Sequence, residues 1–404
     1  MKRNTLHSMA MTLGAIISLS SMCWAQVNSG SNGSDGALDL SAYSGMNTNI
    51  VINMADRPTG IYNYTSVTIP TGVTVSFIPN ANNTPVTWLV QSNCTISGTV
   101  DVSGQKAING GALGGPGGYS GGNSGTAATS GGGPGGGGIS PTTSGYGGNA
   151  SYGTVGNNSC ASEGGIPGEI YGNDFVVQLL GGSGGGGSFY GFGRGGGGGG
   201  GGAILIAASN TITIQGGIRA SGGWPWFELA TFGRGGAGSG GAVRLVGTTI
   251  AGSGYINVNG GQSWCGLSGQ GRVRLDAYTY SFTGIIDGTF SHGSQFEVLP
   301  VAGQGAQLTI ASVAGVAVTP PPTGVLATPD AVIAAQQANP IPIVVQCSNI
   351  PLNTPITVKV KPANGSPVSA VGYNTTGTTA SSTATVLINM PRGGGIMYAT
   401  AVGN

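Results

Sequence analysis

The side chains that could do chemistry in this chain are few and far apart. Only 6% of the 404 residues are charged, with 12 Asp or Glu and 13 Lys or Arg. Enzymes that cut polysaccharides need paired carboxylates, or a basic side chain beside acidic ones. Asp101 and Asp287 occupy matching places in two copies of an internal repeat, and the two copies between them have Arg219 and Asn257 there. We interpret this column as a solvated outer face; the alternative is a carbohydrate-active enzyme with a sparse site around Asp101, Arg219 and Asp287.

No motif indicates a metal or a cofactor. The run of eight glycines at 195–202 has no Lys-Ser/Thr after it and opens a strand, so it lacks the features of a phosphate-binding loop. Glycine repeats that bind calcium have an Asp in every copy, and the glycine tracts here almost lack Asp. His292 has no neighbour at the spacing of a catalytic triad or a metal site. The sequence therefore predicts no metal, no cofactor and no convincing catalytic constellation.

Arginine and aromatic residues in the glycine-rich loops are the best candidates for binding. Arg194 and Arg234 each follow Phe-Gly and are the only charged residues in their glycine tracts. We expect each to cap glycine carbonyls or to lie on an aromatic ring, with ligand binding as the alternative. The aromatic candidates, which follow the Gly-Gly that ends a repeat, are Trp224, Trp226, Phe227 and Trp264. They either form a platform for a sugar or a partner surface or cover the glycine layer.

An internal repeat must position these loops. Phe-Gly-Arg at Phe192 recurs at Phe232, and in both places a glycine-rich run is followed by a series of short, β-prone segments, which we call the ladder. Copies of the ladder cover residues 87–104, 204–222, 242–261 and, more loosely, 272–288. Each copy has roughly 20 residues and three short strands, a size typical of one coil of a solenoid. Stacked copies can bury one another's Val, Ile and Leu. We predict an all-β fold in which 46–298 form a parallel β-helix, or β-solenoid; a β-sandwich with long loops is the competing fold.

The main glycine-rich insertion, residues 104–202, is too long for an ordinary loop. One interpretation is disorder, because glycine loses the most conformational entropy when it is fixed. The other is a set of glycine strands in an extended three-fold helix, packed side by side, because backbones without side chains can approach closely. The sequence leaves both open.

The N-terminal residues predict export. Residues 1–25 have Lys2 and Arg3, then an apolar stretch, then Cys23-Trp-Ala, which is typical of a cleaved signal peptide. A lipid anchor at Cys23 is the alternative. No other segment is long and apolar enough to span a membrane, and residues 26–45 read as an exposed leader. The net charge of +1 argues against nucleic acid as a partner.

The C-terminal residues predict a separate unit. Residues 299–322, with three prolines from Pro320, read as a linker. Residues 323–404 contain alternating apolar and polar strands that suggest a small immunoglobulin-like β-sandwich. We expect Lys359 and Lys361 to lie on the face of that sandwich that points to water.

Four cysteines remain after the predicted cleavage, an even number that permits disulfides in an exported chain. Cys160 and Cys265 both lie in glycine-rich loops, so a disulfide between them is one hypothesis. The other is four buried thiols.

Two stretches resemble exported glycine-rich proteins of bacteria: Gly-Gly-Ala-Gly-Ser-Gly-Gly-Ala-Val-Arg-Leu-Val at 235–246, and 60–75. The resemblance covers about residues 32–290; more distantly, the glycine tracts are similar to mycobacterial glycine-rich repeat proteins and to phage adhesins with polyglycine layers. The motifs it rests on specify architecture well and function poorly. Our first hypothesis is a secreted or cell-surface structural or adhesive protein whose partner is a surface polysaccharide or another cell-surface protein. The resemblance implies no catalytic residue. A passive matrix protein without a specific ligand is a further alternative.

Overall fold

The fold is all-β. The computed structural model describes residues 26–401 except for 109, 126–127, 140–144, 159–163, 189–194, 226–233, 297–305, 320–321, 323–328 and 363–365. One short 3-10 helix, Ser41–Tyr43, occurs in these ranges, and no helix there is long and apolar enough to cross a membrane. The strands fall into two groups, one before residue 294 and one after residue 306.

The first group consists mainly of two parallel sheets. Its strands are β1 (Ala37–Asp39), β2 (Thr48–Asn53), β3 (Ile61–Tyr64), β4 (Ser66–Ile69), β5 (Val73–Ile78), β6 (Val86–Val90), β7 (Cys94–Ile96), β8 (Thr99–Asp101), β9 (Ala203–Ile214), β10 (Gly217–Arg219), β11 (Ala242–Gly252), β12 (Tyr255–Asn257), β13 (Gln262–Ser263), β14 (Gly266–Leu267), β15 (Arg272–Phe282), β16 (Ile285–Asp287) and β17 (Thr289–Gly293). Sheet A has nine strands, in the order β1-β4-β7-β9-β11-β15-β17, with β3 and β6 joined to it at β9. Sheet B has six, in the order β16-β12-β10-β8-β5-β2. β13 and β14 form a separate antiparallel hairpin.

Successive repeats stack in register. In sheet B, one inward column consists of Ile50, Val75, Val100, Ile218, Ile256 and Ile286. In sheet A, one consists of Tyr62, Trp88, Ile206, Leu245, Leu275 and His292, and another of Leu38, Val67, Cys94, Ile212, Ile250 and Tyr280. Most of these side chains belong to one buried cluster between the sheets. Because each fully buried aliphatic side chain contributes about 1.5–3 kcal/mol, the columns are the main stabilising feature of the stack. The predicted stacking of repeats is confirmed, and parallel pairing excludes an antiparallel sandwich for this region.

The glycine-rich insertion is packed rather than disordered over its described residues. Gly195–Gly202 lies among other segments of the chain, and its hydrogen-bond partners recur every third residue. The first neighbour is 182–188, where the amides of Ser188, Gly185 and Gly182 donate to the carbonyls of Gly195, Gly198 and Gly201. The second is 236–239, where the carbonyls of Gly236 and Ser239 accept from the amides of Gly198 and Gly201. The third is 119–122, where the carbonyls of Gly122 and Tyr119 accept from the amides of Gly197 and Gly200. A period of three is that of the extended three-fold helix, which forms no internal hydrogen bonds and must bond to neighbours.

Only glycine fits at the centre of this layer. A Cβ placed on Gly198 would lie 2.0 Å from the carbonyl oxygen of Gly223, and one on Gly200 would lie 2.0 Å from that of Gly182. Real Cβ atoms essentially never show contacts under 3.0 Å. The glycines are therefore required by the close approach of neighbouring backbones.

The second group of strands forms two antiparallel sheets over a shared core. Its strands are β18 (Gln307–Val313), β19 (Val316–Ala317), β20 (Ile341–Ser348), β21 (Pro355–Pro362), β22 (Val368–Tyr373), β23 (Thr376–Gly377), β24 (Ser382–Ile388) and β25 (Gly395–Ala401). One sheet has the order β19-β18-β20-β24-β23 and the other β22-β21-β25. Buried residues of both, such as Val345, Val358 and Val386, form a single cluster.

Two of the expected boundaries differ from the structure. β18 and β19 lie within the predicted linker 299–322, because Gln307–Val313 pairs with β20 and completes the sheet. Part of the predicted exposed leader, 26–45, is buried, and β1 pairs with β4. Val27 packs on the outer face of sheet A, and its amide donates to Thr248 Oγ1 over 2.9 Å. An apolar outer face needs this cover, which periodicity alone does not show.

Lys361 does not point into water as predicted. It is buried, and its ammonium group donates to the carbonyl oxygen of Gly136 in the insertion. Lys359 lies 3.6 Å from the Glu169 carboxylate in the same insertion. Burial lowers the pKa of Lys361 to about 8. The predicted water-facing side of β21 thus contacts the insertion at Lys361 and Lys359, and Lys359 stays partly exposed.

Candidate ligand-binding surface

Trp224 and Trp264 are exposed at one edge of the glycine layers. Their exposed fractions are 49% and 63%. Trp224 directly follows Gly223, and Trp264 lies three residues after Gly261. A Cβ on Gly261 would be 2.2 Å from the carbonyl oxygen of Gly223, so the chain leaves the layer at neighbouring points in adjacent repeats. The structure thus brings these two predicted residues to a common edge, and we call them the tryptophan edge.

The β13–β14 hairpin holds Trp264 outward. The buried Ser263 hydroxyl donates to the carbonyl of Gly266 over 3.1 Å and accepts from the amide of Cys265 over 3.2 Å. Gly266 has a φ of 114°, in the region that favours glycine. Cys265 is also disulfide-bonded. These links fix the backbone on both sides of the indole, so its exposure does not result from a loose loop.

Arg234 lies beneath Trp264. Its guanidinium carbon is 3.5 Å from the centre of the Trp264 ring and 5.8 Å from that of Tyr146, and the residue is only 7% exposed. A cation over an aromatic face is attracted by the ring quadrupole, more strongly when it is removed from water. Its Nη1 has no hydrogen-bond partner among the described residues. We expected Arg234 to cap glycine carbonyls or to lie on an aromatic ring, and the structure shows the contact with the ring.

The other predicted site residues, Arg194, Trp226, Phe227 and Cys160, lie outside the described residues. The bonded partner of Cys265 also lies outside them, because Cys94 and Cys347 are free and buried. Burial raises the pKa of the Cys94 thiol to about 12.

The polar column on sheet B has the predicted register. Arg219 pairs with Asp101 on one side and with Asn257 on the other, and Asn257 pairs with Asp287. Asp101 Oδ1 accepts from an amide two residues ahead, and Asn257 Oδ1 does the same. Arg219 is exposed and lies over the Tyr255 ring, 5.4 Å from its centre. Asp101 and Asn257 thus stabilise the turns that follow β8 and β12.

Sequence reasoning missed a buried ionic cluster on the outer face of sheet A. Asp276 is fully buried; Arg274 Nη2 lies 2.7 Å and Arg244 Nη2 3.5 Å from its carboxylate oxygens. The amide of Gln295 also donates to it over 3.0 Å. The alternation Arg272-Val-Arg-Leu-Asp could have indicated that these charges share one face. All three charged groups are buried, so the cluster holds the backbone of Gln295 against sheet A and is not a surface that a ligand could contact.

Two concave regions lie away from the tryptophan edge. A groove of about 330 Å³ crosses sheet B at Thr48, Thr74 and Thr99. A cavity of about 550 Å³ lies where the C-terminal sheets meet the insertion, with Ile333 and Met390 in its wall. Neither includes Asp101, Arg219, Asp287 or the two tryptophans.

Within the described ranges, no group of three or more His, Cys, Asp and Glu side chains is arranged to hold a metal ion. Comparisons with protein families, with curated proteins and with solved structures give no match.

Proposed function

We propose that this chain is an exported structural and adhesive protein that presents aromatic side chains on a rigid, glycine-packed body. The observation that carries the proposal is the tryptophan edge. Two exposed indoles depart from adjacent repeats, and the backbone around one of them is fixed by a hairpin, a disulfide and a buried arginine. Indoles on a fixed backbone can bind a flat apolar surface with little loss of conformational entropy.

The proposed architecture is a parallel β-solenoid followed by an immunoglobulin-like sandwich. In-register parallel pairing across six successive strands of sheet B supports the first part. Two antiparallel sheets over one core support the second. The glycine layers would take the place of a third face, since they hydrogen-bond to the residues that follow β8 and β10.

Export follows from residues 1–25, which we propose to be a cleaved signal peptide that directs the chain to the cell surface or beyond. The disulfide at Cys265 supports an oxidising environment. The proposed partner is an uncharged surface polysaccharide or another cell-surface protein, because a chain with 6% charged residues and a net charge of +1 offers no strong field for a polyanion.

The test is a glycan array together with a whole-cell binding assay on the mature protein. Trp224→Ala and Trp264→Ala should each lower binding at least about tenfold, since truncation of a tryptophan that anchors an interface costs about 2 kcal/mol or more. The melting temperature of Trp224→Ala should stay near that of the parent, whereas Trp264→Ala also loses the ring over Arg234 and should melt a few degrees lower. Tyr373→Ala, which removes an exposed ring from the C-terminal sheets, is the matched control and should bind normally.

Two results would contradict the proposal. Loss of stability with binding intact would mean that the indoles only cover the glycine layer. Absence of any binding in the parent protein would favour the passive matrix protein.

A further inference from the structure

Within the described ranges, both parallel sheets end in strands that are paired on one side only. In sheet B these are β2 at the N-terminal end and β16 at the C-terminal end. In sheet A, β17 pairs with residues 272–276 of β15 and leaves 277–282 without a strand partner on that side in the same ranges. An edge without a strand partner presents backbone amides and carbonyls that can pair with another strand.

The hydrophobic core reaches these ends without a cover from the described residues. Ile50 and Ile286, the two ends of the aliphatic column in sheet B, are only partly buried. At the C-terminal end, Tyr280 and Phe290 are exposed and both stack on His292, with ring centres 5.7 Å apart in each pair. Ile285, the first residue of β16 in sheet B, is 66% exposed. Repeat proteins normally need a polar terminal repeat for solubility, and this end is apolar instead.

The edge strands also have few of the devices that usually prevent pairing. β2 reads Thr-Asn-Ile-Val-Ile-Asn and β17 reads Thr-Phe-Ser-His-Gly, with no Lys, Arg, Asp, Glu or Pro in either. β16 and β1 have one Asp each, at the last residue of the strand. Natural sheets usually protect an exposed edge with charge, proline or a bulge. The edge of β3 differs, because Asp35, paired with Arg57, accepts from the amide of Asn63 there.

The two ends of the stack are complementary. β1 lies at the N-terminal end of the column of side chains that ends at Tyr280, in the unpaired half of β15, because Leu38 and Tyr280 belong to the same column. A β1 strand from another copy would therefore match the unpaired residues 277–282. In the same way, β2 occupies the place that would follow β16, with Ile50 and Ile286 in one column. A second copy placed on the C-terminal end in the same orientation would continue both sheets in parallel register. Two like ends would instead meet with opposed strand directions.

We propose that copies of this chain associate head to tail, with β15 and β16 of one copy pairing with β1 and β2 of the next. The contact is heterologous, and because each copy is added along the stacking axis of the repeats, its repetition builds a filament rather than a closed ring. It continues the pairing that already joins the repeats, with Ile286 against Ile50 and Tyr280 against Leu38. This inference is independent of ligand binding at the tryptophan edge.

The test is sedimentation velocity of the full mature chain over a range of concentrations, with two single variants. Ile50→Lys blocks the N-terminal end and Ile286→Lys the C-terminal end. The parent should form a ladder of species, each variant alone should stay monomeric, and an equimolar mixture should form dimers only, because each variant keeps one intact end. Leu387→Lys, an exposed apolar position in β24, is the matched control and should assemble like the parent.

Circular dichroism verifies the fold of each variant. If Ile286→Lys does not fold, Ile285→Lys serves in its place, because that side chain is already exposed. Dimers formed by Ile50→Lys alone would indicate contact between two C-terminal ends, and dimers of Ile286→Lys alone would indicate contact between two N-terminal ends. Either result overturns head-to-tail assembly, as does a parent protein that is monomeric at every concentration.

Discussion

The glycine layer makes a direct prediction about a single methyl group. In Gly198→Ala, the new Cβ would lie 2.0 Å from the carbonyl oxygen of Gly223, where ordinary contacts begin at 3.4 Å. The two backbones would have to separate by roughly 1.4 Å. Separation breaks the bond from the Gly223 amide to the carbonyl of Gly199, which joins the two backbones directly. Overpacking costs about 1–3 kcal/mol and the buried amide left unsatisfied about 1–3 kcal/mol, so we expect a loss of about 2–6 kcal/mol.

The assay is urea denaturation followed by circular dichroism, with Gly110→Ala as the matched control. Gly110 belongs to the same insertion, but its added Cβ would meet only Asn123 Oδ1, at 3.5 Å. That variant should be neutral or more stable by about 0.4–1 kcal/mol, because alanine reduces the entropy of the unfolded chain. Equal and small effects of the two substitutions would refute close packing at Gly198.

Three further predictions follow from buried groups. Asp276→Ala leaves two buried arginines without their carboxylate and should lower the free energy of unfolding by about 3–5 kcal/mol in a urea titration; a loss under about 1 kcal/mol would mean that the arginines find other partners. Burial lowers the pKa of Lys361 to about 8, so the folded state binds fewer protons than the unfolded state between pH 8 and 10.5, the ordinary pKa of lysine. The free energy of unfolding of the parent protein should therefore rise with pH across that window. Lys361→Met should lack this contribution, and identical pH profiles of the two proteins would show that Lys361 is solvated. The Cys94 thiol, with a pKa raised to about 12, should resist alkylation at pH 8 in the native protein and react after denaturation, as followed by mass spectrometry; rapid native reaction would place it at the surface.

The stack could be predicted from the sequence because its repeats are similar and its strands alternate. Ile204 and Val243 begin matching runs in two copies, and they are register partners in sheet A. Stacking then follows, since one repeat cannot bury its apolar face alone. The polar column from Asp101 to Asp287 follows from the same alignment.

Contacts between distant segments could not be predicted in the same way. Nothing local in the sequence places Val27 on sheet A or Lys361 against Gly136, because each position depends on the three-dimensional path of a long insertion. The packing of the glycine-rich insertion could not be predicted for the same reason, because it depends on contacts with distant segments and glycine by itself favours neither a packed nor a disordered state. For the tryptophan edge, the sequence identified Trp224 and Trp264, but their proximity depends on the contact between Gly223 and Gly261.

The most direct test of the glycine-packed body is amide hydrogen exchange on the mature protein, measured by mass spectrometry on peptides that cover 182–188 and 195–202. The amides of 182, 184–188 and 197–202 donate to backbone carbonyls within the layer or at its border, and the Ser183 amide donates to the Ser239 hydroxyl. Packed strands that open only with the core should exchange at least about a thousandfold more slowly than a random coil, which corresponds to an opening free energy of about 4 kcal/mol. Exchange at random-coil rates throughout both segments would contradict the packed layer and the rigid platform that depends on it.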